Sequence, residues 1–371
     1  MKKIKILHII SSLKIGGAEA LFCDLLAHMS PDFEHTVIYF HDGAHVQCLQ
    51  KMNITLHHVT GFMSLYDPIF FIRLRQIFKT VDPDVIHTQL WAANNLGRVL
   101  GFKIKVPVVC VLHNYLDQDG LLKNKIDQQT TEFSSQFISY THGIAQSLLD
   151  RDPWIQPEKV KILTIGIDKV SLYEKSARER RERTDLHLNM NHFVIGSVGR
   201  FVPVRRYDLL INAFKIVQEN YAQARLVLVG VGPLEHQLRA QVRKLCIEDR
   251  VIFIIDQPGY RYYQLFDCFA LTSDKEGPSI ALLEAMSFSV PCVRTNSESS
   301  HAVIKSEING LLTPAGCPIS LADALMRLYE NPDFAKRISQ EGQKTTDQHD
   351  IAYTALEYET IFKSLMLQKR V

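Results

Sequence analysis

Asp274 to Cys292 reads DKEGPSIALLEAMSFSVPC, and two glutamates stand in it eight positions apart, Glu276 in a loop and Glu284 inside a helix. Just upstream, Cys268-Phe269-Ala270-Leu271-Thr272 has the composition of a short buried strand. Gly277-Pro278 then supplies a turn and a residue preset for the first helical position. The helix is expected from about Ser279. The exposed N–H groups at Ser279 and Ile280, with the positive end of the helix dipole, make a seat for a phosphate. Glu284 lies one to two turns further in, among Ala281, Leu282, Leu283, Ala285 and Met286, where a carboxylate needs a partner.

Two carboxylate oxygens match the two vicinal hydroxyls of a ribose, so a phosphate at the helix start and a ribose along its side together describe a nucleotide. An ordinary amphipathic helix with one surface Glu accounts for the same residues, and the rest of the chain has to separate the two readings.

At 371 residues and 46% hydrophobic content, the chain has room for two domains, each with a sizeable core. A formal charge of +2 speaks against a dedicated nucleic-acid binder, which normally carries a strong basic excess. The seven cysteines, Cys23, Cys48, Cys110, Cys246, Cys268, Cys292 and Cys317, are scattered without a C-x-x-C pair, which points to buried thiols in a reducing compartment. The start, MKKIKILHIISSLKIGG, has the basic and apolar character of a signal peptide. Its apolar run is short and leads into Gly16-Gly17 and an amphipathic helix, so it is read as the first strand of a cytoplasmic enzyme. No run approaches the ~18 apolar residues that cross a bilayer.

In order, the chain alternates short β-branched strands with helical periods, the pattern of a parallel sheet covered on both faces. Strands are expected at 4–10, 36–40, 54–57, 85–87, 106–112, 137–139 and 160–165. The charged stretch from Tyr173 to Arg183 interrupts the alternation and reads as a linker or solvated segment, giving a first domain over 1–168 and a linker over 169–190. A second series follows at 193–198, 226–229, 251–255, 268–272, 291–294 and 311–312, for a second domain over 191–345. Two Rossmann-like α/β halves in tandem are the expected fold.

Chemistry is expected where strands run into loops. In Lys14-Ile15-Gly16-Gly17-Ala18-Glu19, two glycines open a helix and allow close approach of a ligand to the backbone, although a tight turn needs only one of them. The absence of G-x-G-x-x-G there argues against a nicotinamide enzyme. In IGSVGRFVPVRRYDLLINAF, Gly199-Arg200 ends a strand and Arg205 follows five residues on, a two-sided clamp for a diphosphate unless both arginines merely sit on a solvated loop. His113 stands at a strand end, the edge where open α/β sheets bind ligands, and His87 stands at the end of the preceding strand with a weaker claim. A structural hydrogen bond is the simpler role for either. Asp82-Pro83-Asp84 and Asp117-Gln118-Asp119 fit a D-x-D spacing for a divalent ion, but the first precedes its strand and the second is an isolated polar loop, so no metal is expected. The histidines form no ligand-spaced cluster.

The pattern E-G-x-x-x-x-L-L-E-A-M followed by V-P-C-V closely resembles the donor site of retaining glycosyltransferases of family four, which have the GT-B fold of two Rossmann-like domains facing each other across a cleft. The stretch VIHTQLWAANNLGRVLGFKIKVPVVCVLHNYLDQ and the G-x-G-P turn of LVLVGVGPL resemble the same family, so the likeness covers nearly the whole chain. It implies that Glu284 binds the donor ribose and that Glu276 faces the transferred sugar. Gly16 and Gly17 would meet the donor phosphates and sugar, with Gly199, Gly277, Pro278, Ser279 and Ile280 completing the donor site. His113 would contact the transferred sugar or the acceptor, and Arg200 and Arg205 the diphosphate. The loop 256–262 would bracket the base. The domain over 1–168 would be the acceptor side, with a final helix over 346–371 crossing back to it.

The chain departs from the family at four places. Thr164 stands where an Asn is usual, Arg205 where a Lys is usual, and Arg206 where many relatives have Gly. Thr295-Asn296-Ser297-Glu298-Ser299-Ser300-His301 occupies the place of a Gly-Gly element. The implied function is transfer of a sugar, with retention, from a nucleotide-diphosphate sugar to a glycan or lipid-linked glycan, with no cofactor. A nucleotide-sugar-binding partner subunit without catalysis and a nucleotide-sugar epimerase of the same fold remain as alternatives. Residues 67–79, DPIFFIRLRQIFK, have an aromatic face beside Arg73, Arg75 and Lys79, which suits either a sheet-covering helix or contact with the inner face of an anionic membrane.

Overall fold

β-branched runs separated by amphipathic helices have one stable solution, parallel strands side by side with helices on both faces. The computed structural model describes residues 3–60, 68–116 and 120–368. One compact unit runs to Gly166 and takes in the chain from Ile351 onward, and the second comprises Ile167–Asp350.

In the first unit, β1 (Ile4–Ser12), β2 (Phe33–His41), β3 (Thr55–His58), β4 (Val85–Gln89), β5 (Val108–Leu112), β6 (Gln136–Ser139) and β7 (Val160–Ile162) form a parallel sheet in the order β3-β2-β1-β4-β5-β6-β7. Between them lie α1 (Gly17–His28), α2 (Val46–Lys51), α3 (Pro68–Val81), α4 (Trp91–Ile104), α5 (Leu121–Thr131) and α6 (His142–Arg151). In the second unit, β8 (Phe193–Val198), β9 (Ala224–Gly230), β10 (Val251–Ile255), β11 (Cys268–Leu271), β12 (Cys292–Thr295) and β13 (Leu311–Thr313) form a parallel sheet in the order β10-β9-β8-β11-β12-β13. Its helices are α7 (Lys169–Glu179), α8 (Tyr207–Asn220), α9 (Glu235–Lys244), α10 (Ile280–Ser287), α11 (Pro318–Glu330) and α12 (Pro332–Thr345). The last helix, α13 (Ile351–Gln368), packs on α1 and β4 of the first unit, where Tyr358 and Phe362 are fully buried. In each sheet the order reverses beside the first strand, between β1 and β4 and between β8 and β11. Loops leaving the carboxyl ends there splay apart, which is where an open sheet receives a ligand.

Three expectations are corrected. The segment 169–190 is not a linker: α7 occupies its first half, capped by Asp168, whose carboxylate accepts from the Ser171 N–H. Leu172 and Ser176 are its buried residues, so it lacks a wide apolar stripe. Its anchors are distant in sequence, with the Tyr173 hydroxyl donating to the Ser287 carbonyl at 2.7 Å and Glu179 paired with Arg261. The thiols are not uniformly buried, because Cys246 is exposed and Cys48 and Cys317 are half-buried, while all seven are free. His87 is no ligand-edge residue either. It is fully buried in mid-strand, and the β1–β4 register sets it opposite His8.

That register builds a row of imidazoles through the core. His8 Nδ1 lies 2.9 Å from His87 Nδ1, and His8 Nε2 lies 2.9 Å from His35 Nδ1. Phe22, Tyr358 and Phe362 pack around them. Burial disfavours the charged form: His8 is held well below its usual pKa, His35 is lowered to about 4 and His87 to about 3. Between those values and the ordinary pKa, the unfolded chain binds more protons than the folded one. These histidines therefore contribute stability that is complete above their unfolded pKa, about 6.5, and is lost as pH falls towards 4 and below. The melting temperature is expected to fall clearly between pH 7 and pH 5 in thermal denaturation, and a flat profile would contradict the buried-imidazole account.

α3 covers the sheet: Phe70, Leu74 and Phe78, at helical spacing, enter the core, while Ile72, Arg73, Arg75 and Lys79 are exposed. Among the described residues, no helix is long and apolar enough to cross a membrane.

Candidate active site

The site in the second unit begins at the carboxyl end of β8. Gly199 has φ +155°, a conformation that side chains rarely adopt, and its carbonyl would lie 1.9 Å from a Cβ at Gly230 at the end of β9. The two strand ends can approach this closely only because both positions are glycine. Past Gly199, Arg200 is exposed. The chain makes one 3-10 turn over Pro203–Arg205 and enters α8 through Arg206, whose φ of +47° lies in the left-handed region. That conformation explains why a glycine suits this position. Here the strain is held by Arg206 itself, whose guanidinium pairs with Asp208 at 3.0 Å and Asp274 at 2.9 Å.

On the neighbouring strand, β11 delivers the loop 272–279. The Thr272 hydroxyl donates to the Arg205 carbonyl at 2.8 Å, joining the two loops. Arg205 then reaches Glu276: Nη2 and Oε1 are 2.5 Å apart, with side chains 19% and 14% exposed. Arg205, expected in the diphosphate clamp, and Glu276, expected to face the transferred sugar, are therefore one ion pair. Arg205 Nη1, Glu276 Oε2, Ser273 Oγ and Ser279 Oγ are all buried and have no hydrogen-bond partner among the described residues. Such groups normally find one, so two donors and acceptors of a charged pair and two hydroxyls left unmatched mark a polar ligand site.

Ser279 is the N-cap of α10, with φ −87° and ψ 119° and no capping bond from its side chain. Pro278 therefore precedes the cap instead of occupying the first helical position, and Ile280 opens the helix. The cap hydroxyl and the first N–H groups are uncommitted to each other, which suits an anion. One turn on, Glu284 Oε2 accepts a hydrogen bond of 2.6 Å from the Tyr263 hydroxyl. Tyr263 is fully buried, and burial together with the Glu284 charge pushes its phenol well above its usual pKa, so it remains a donor. Sequence reading required a partner for Glu284 and did not find this one, since Tyr263 carries no motif. Gly259 lets the chain fold against Tyr263: a Cβ there would lie 2.6 Å from Val198 and 3.0 Å from the Tyr263 hydroxyl. In the loop 256–262, Tyr260 and Arg261 are tied to Glu179.

The first unit holds the remaining candidates. Gly16 caps α1 in an extended conformation, φ −176°, and a side chain there would meet the flexible end of Glu19; Gly17 begins the helix. His113 follows β5 and places Nε2 3.0 Å from Gln89 Oε1 at the end of β4. Burial lowers its pKa to about 4, so at neutral pH it is a hydrogen-bonding imidazole without charge. Asp84 of the first D-x-D pair accepts from the Lys5 N–H at 3.0 Å, at the amino end of β4. Asp117-Gln118-Asp119 lies outside the described residues. Among the described residues, no group of three or more His, Cys, Asp or Glu side chains is placed to hold a metal. The Thr164 carbonyl accepts from the Thr354 hydroxyl at 2.9 Å.

Comparison with known proteins adds an independent finding. The family described as "Glycosyl transferases group 1" matches residues 178–345, and "Glycosyltransferase Family 4" matches residues 15–170. N-acetyl-alpha-D-glucosaminyl L-malate synthase of Bacillus anthracis is 23% identical over 89% of this chain and 84% of its own length. A Campylobacter jejuni enzyme, N-acetylgalactosamine-N,N'-diacetylbacillosaminyl-diphospho-undecaprenol 4-alpha-N-acetylgalactosaminyltransferase, is 24% identical over 94% of this chain and 97% of its own. The crystal structure of Anabaena HepE in complex with UDP and glucose superposes with a TM-score of 0.84 at 22% identity, covering 97% of this chain and 100% of that one. The two profiles between them take in both units, and the chain belongs to the group 1 glycosyltransferases of family four, enzymes of the GT-B fold.

Proposed function

We propose that this hexosyltransferase takes its sugar from a nucleoside diphosphate, held by the second unit, and transfers it with retention to a glycan or lipid-linked glycan. The observation that carries the donor reading is the set of unmatched buried groups around the Arg205–Glu276 pair. A diphosphate would take the free guanidinium nitrogen, the Ser279 hydroxyl and the N–H groups at Ile280, and the transferred sugar would take Glu276. The ribose hydroxyls fall to Glu284, presented by Tyr263. Gly199, Gly277 and Pro278 line the approach and Arg200 takes the phosphates, while Gly16, Gly17 and His113 are the substrate-contacting candidates that the first unit carries. HepE supports UDP as the nucleotide to try first. The acceptor class is supported by the Campylobacter relative, which is named for a diphospho-undecaprenol-linked acceptor.

Breaking the anomeric bond leaves negative charge on the departing diphosphate. Fixed cations and helix N–H groups stabilise that charge without having to reorganise. We extend the proposal to metal independence, because the arginines and the helix dipole supply the positive charge that a divalent ion would otherwise bring. Thermal-shift titration with nucleoside diphosphates and their sugars tests the donor, and a transfer assay in chelator and in magnesium or manganese tests metal independence. The expected result is a rise in melting temperature with one nucleotide class, and turnover that persists in chelator. Loss of turnover in chelator, restored by magnesium or manganese, would exclude the metal-free mechanism.

The lipid-linked acceptor gives the outer edge of α3 a role as a peripheral contact at the inner face of the membrane. Ile72 with Arg73, Arg75 and Lys79 is exposed and suits anionic headgroups. Flotation with vesicles rich in anionic lipid is expected to carry the protein at low salt and release it at high salt. Equal recovery with neutral vesicles would remove the membrane from the proposal.

A further inference from the structure

Arg294 is fully buried in β12, an inner strand between β11 and β13. Inner parallel strands are normally apolar, and a buried guanidinium is tolerated only when its hydrogen bonds are met. Here the two Nη groups are met chiefly by the turn at Ser297 and Ser299, and at 3.5 Å by the Gly277 carbonyl in the loop that carries Glu276. Nη2 donates to Ser299 Oγ at 2.7 Å and approaches the Gly277 carbonyl at 3.5 Å, and Nη1 lies 3.5 Å from the Ser299 carbonyl. Ser299 Oγ donates in turn to the Glu276 carbonyl. The backbone on both sides of the Glu276–Gly277 bond is thus gripped from behind, while the Glu276 carboxylate points forward to Arg205. Ser299 itself is fixed by a short turn in which Ser297 and Ser300 cap each other.

We propose that Arg294, acting through Ser299, is a positioning residue that sets the Glu276 carboxylate against Arg205 and the transferred sugar. The segment 295–301, the largest departure from the family pattern, is then the brace of the sugar-facing loop. This inference rests on the proposed role of Glu276, and its test separates the two.

Ser299→Ala in the full chain removes the bond to the Glu276 carbonyl with little change of volume. It is expected to lower kcat by on the order of tenfold to a hundredfold, because a misplacement of about 1 Å has that effect on a reacting group. The dissociation constant for UDP should stay within about twofold, since the Ser299 side chain bonds to Arg294, Ser297 and the Glu276 carbonyl and not to Glu284, Arg205 or Ser279, the groups assigned to the nucleotide. Arg294→Lys should recover more turnover than Arg294→Met. If both Arg294 variants fail to fold by circular dichroism, Ser299→Ala decides alone. Wild-type kcat in that variant, or equal losses in kcat and UDP affinity, would overturn the proposal.

A second readout does not depend on activity. If Ser299 works through the Arg205–Glu276 pair, the effects of Ser299→Ala and Glu276→Ala on thermal stability are less than additive. Additive effects would refute positioning even in a protein that showed no transfer. Absence of transfer in the wild type, with less-than-additive stabilities, would instead count against the proposed function and leave the brace standing.

Discussion

Arg205→Ala is expected to slow single-turnover transfer by on the order of a hundredfold or more, and to weaken donor binding by much less. On the proposed reading the side chain already sits beside the departing diphosphate. One guanidinium nitrogen is 2.5 Å from Glu276, and the other is buried with no protein partner among the described residues. Its contribution grows as the sugar–phosphate bond breaks and the diphosphate gains charge, so its loss falls on the chemical step. A second consequence separates it from Arg200. Removing Arg205 leaves Glu276, 14% exposed, without its counter-ion, so the ligand-free protein should melt at a lower temperature. Arg200 is exposed in the ligand-free chain, and its replacement should leave the melting temperature unchanged. Donor affinity by calorimetry, together with the single-turnover rate, checks the assignment. If affinity falls while the chemical step is untouched, Arg205 only holds the nucleotide.

Glu284→Ala has the other large effect, and it falls on binding. Hydrogen bonds to a charged group are each worth about 1.5–3 kcal/mol, so losing two ribose contacts should weaken nucleotide binding by roughly a hundredfold or more. The structure adds a second cost. Tyr263 is fully buried and its hydroxyl donates to Glu284, so the alanine variant strands a buried donor at about 1–3 kcal/mol of folding stability. Glu284→Gln keeps an acceptor for both partners and should be milder in binding and in melting temperature. Nucleotide affinity equal to wild type in Glu284→Ala would remove this residue from the ribose site. Tyr263→Phe offers a cross-check: it should lower affinity less than Glu284→Ala, since the carboxylate remains but loses the bond that orients it.

Most of the fold was legible because it depends on local rules. Strand against helix is a question of side-chain period, and a run such as Val251-Ile252-Phe253-Ile254-Ile255 allows one answer. The stretch 169–190 was misread for the complementary reason. α7 buries Leu172 and Ser176 and is anchored by Tyr173 and Glu179, whose partners Ser287 and Arg261 lie far along the chain. A helix fixed by a few distant polar contacts leaves no apolar period to read.

The candidate site divides along the same line. The sequence by itself determined the alternation of strands and helices, the glycines at strand ends, the helix start near Ser279, and the placing of Arg200 and Arg205 after β8, Glu276 after β11 and Glu284 inside α10, because each follows from composition within a few residues. Only the tertiary structure decided what those groups do to one another. It joined Arg205 to Glu276, far apart in the sequence, gave Glu284 its phenol in Tyr263 and set Arg294 and Ser299 behind the Glu276 turn. It also withdrew His87 into a row of buried imidazoles. The reason is physical: parallel pairing brings the ends of β8, β11 and β12 side by side whatever their distance in sequence, and hydrogen bonds and ion pairs form between neighbours in space.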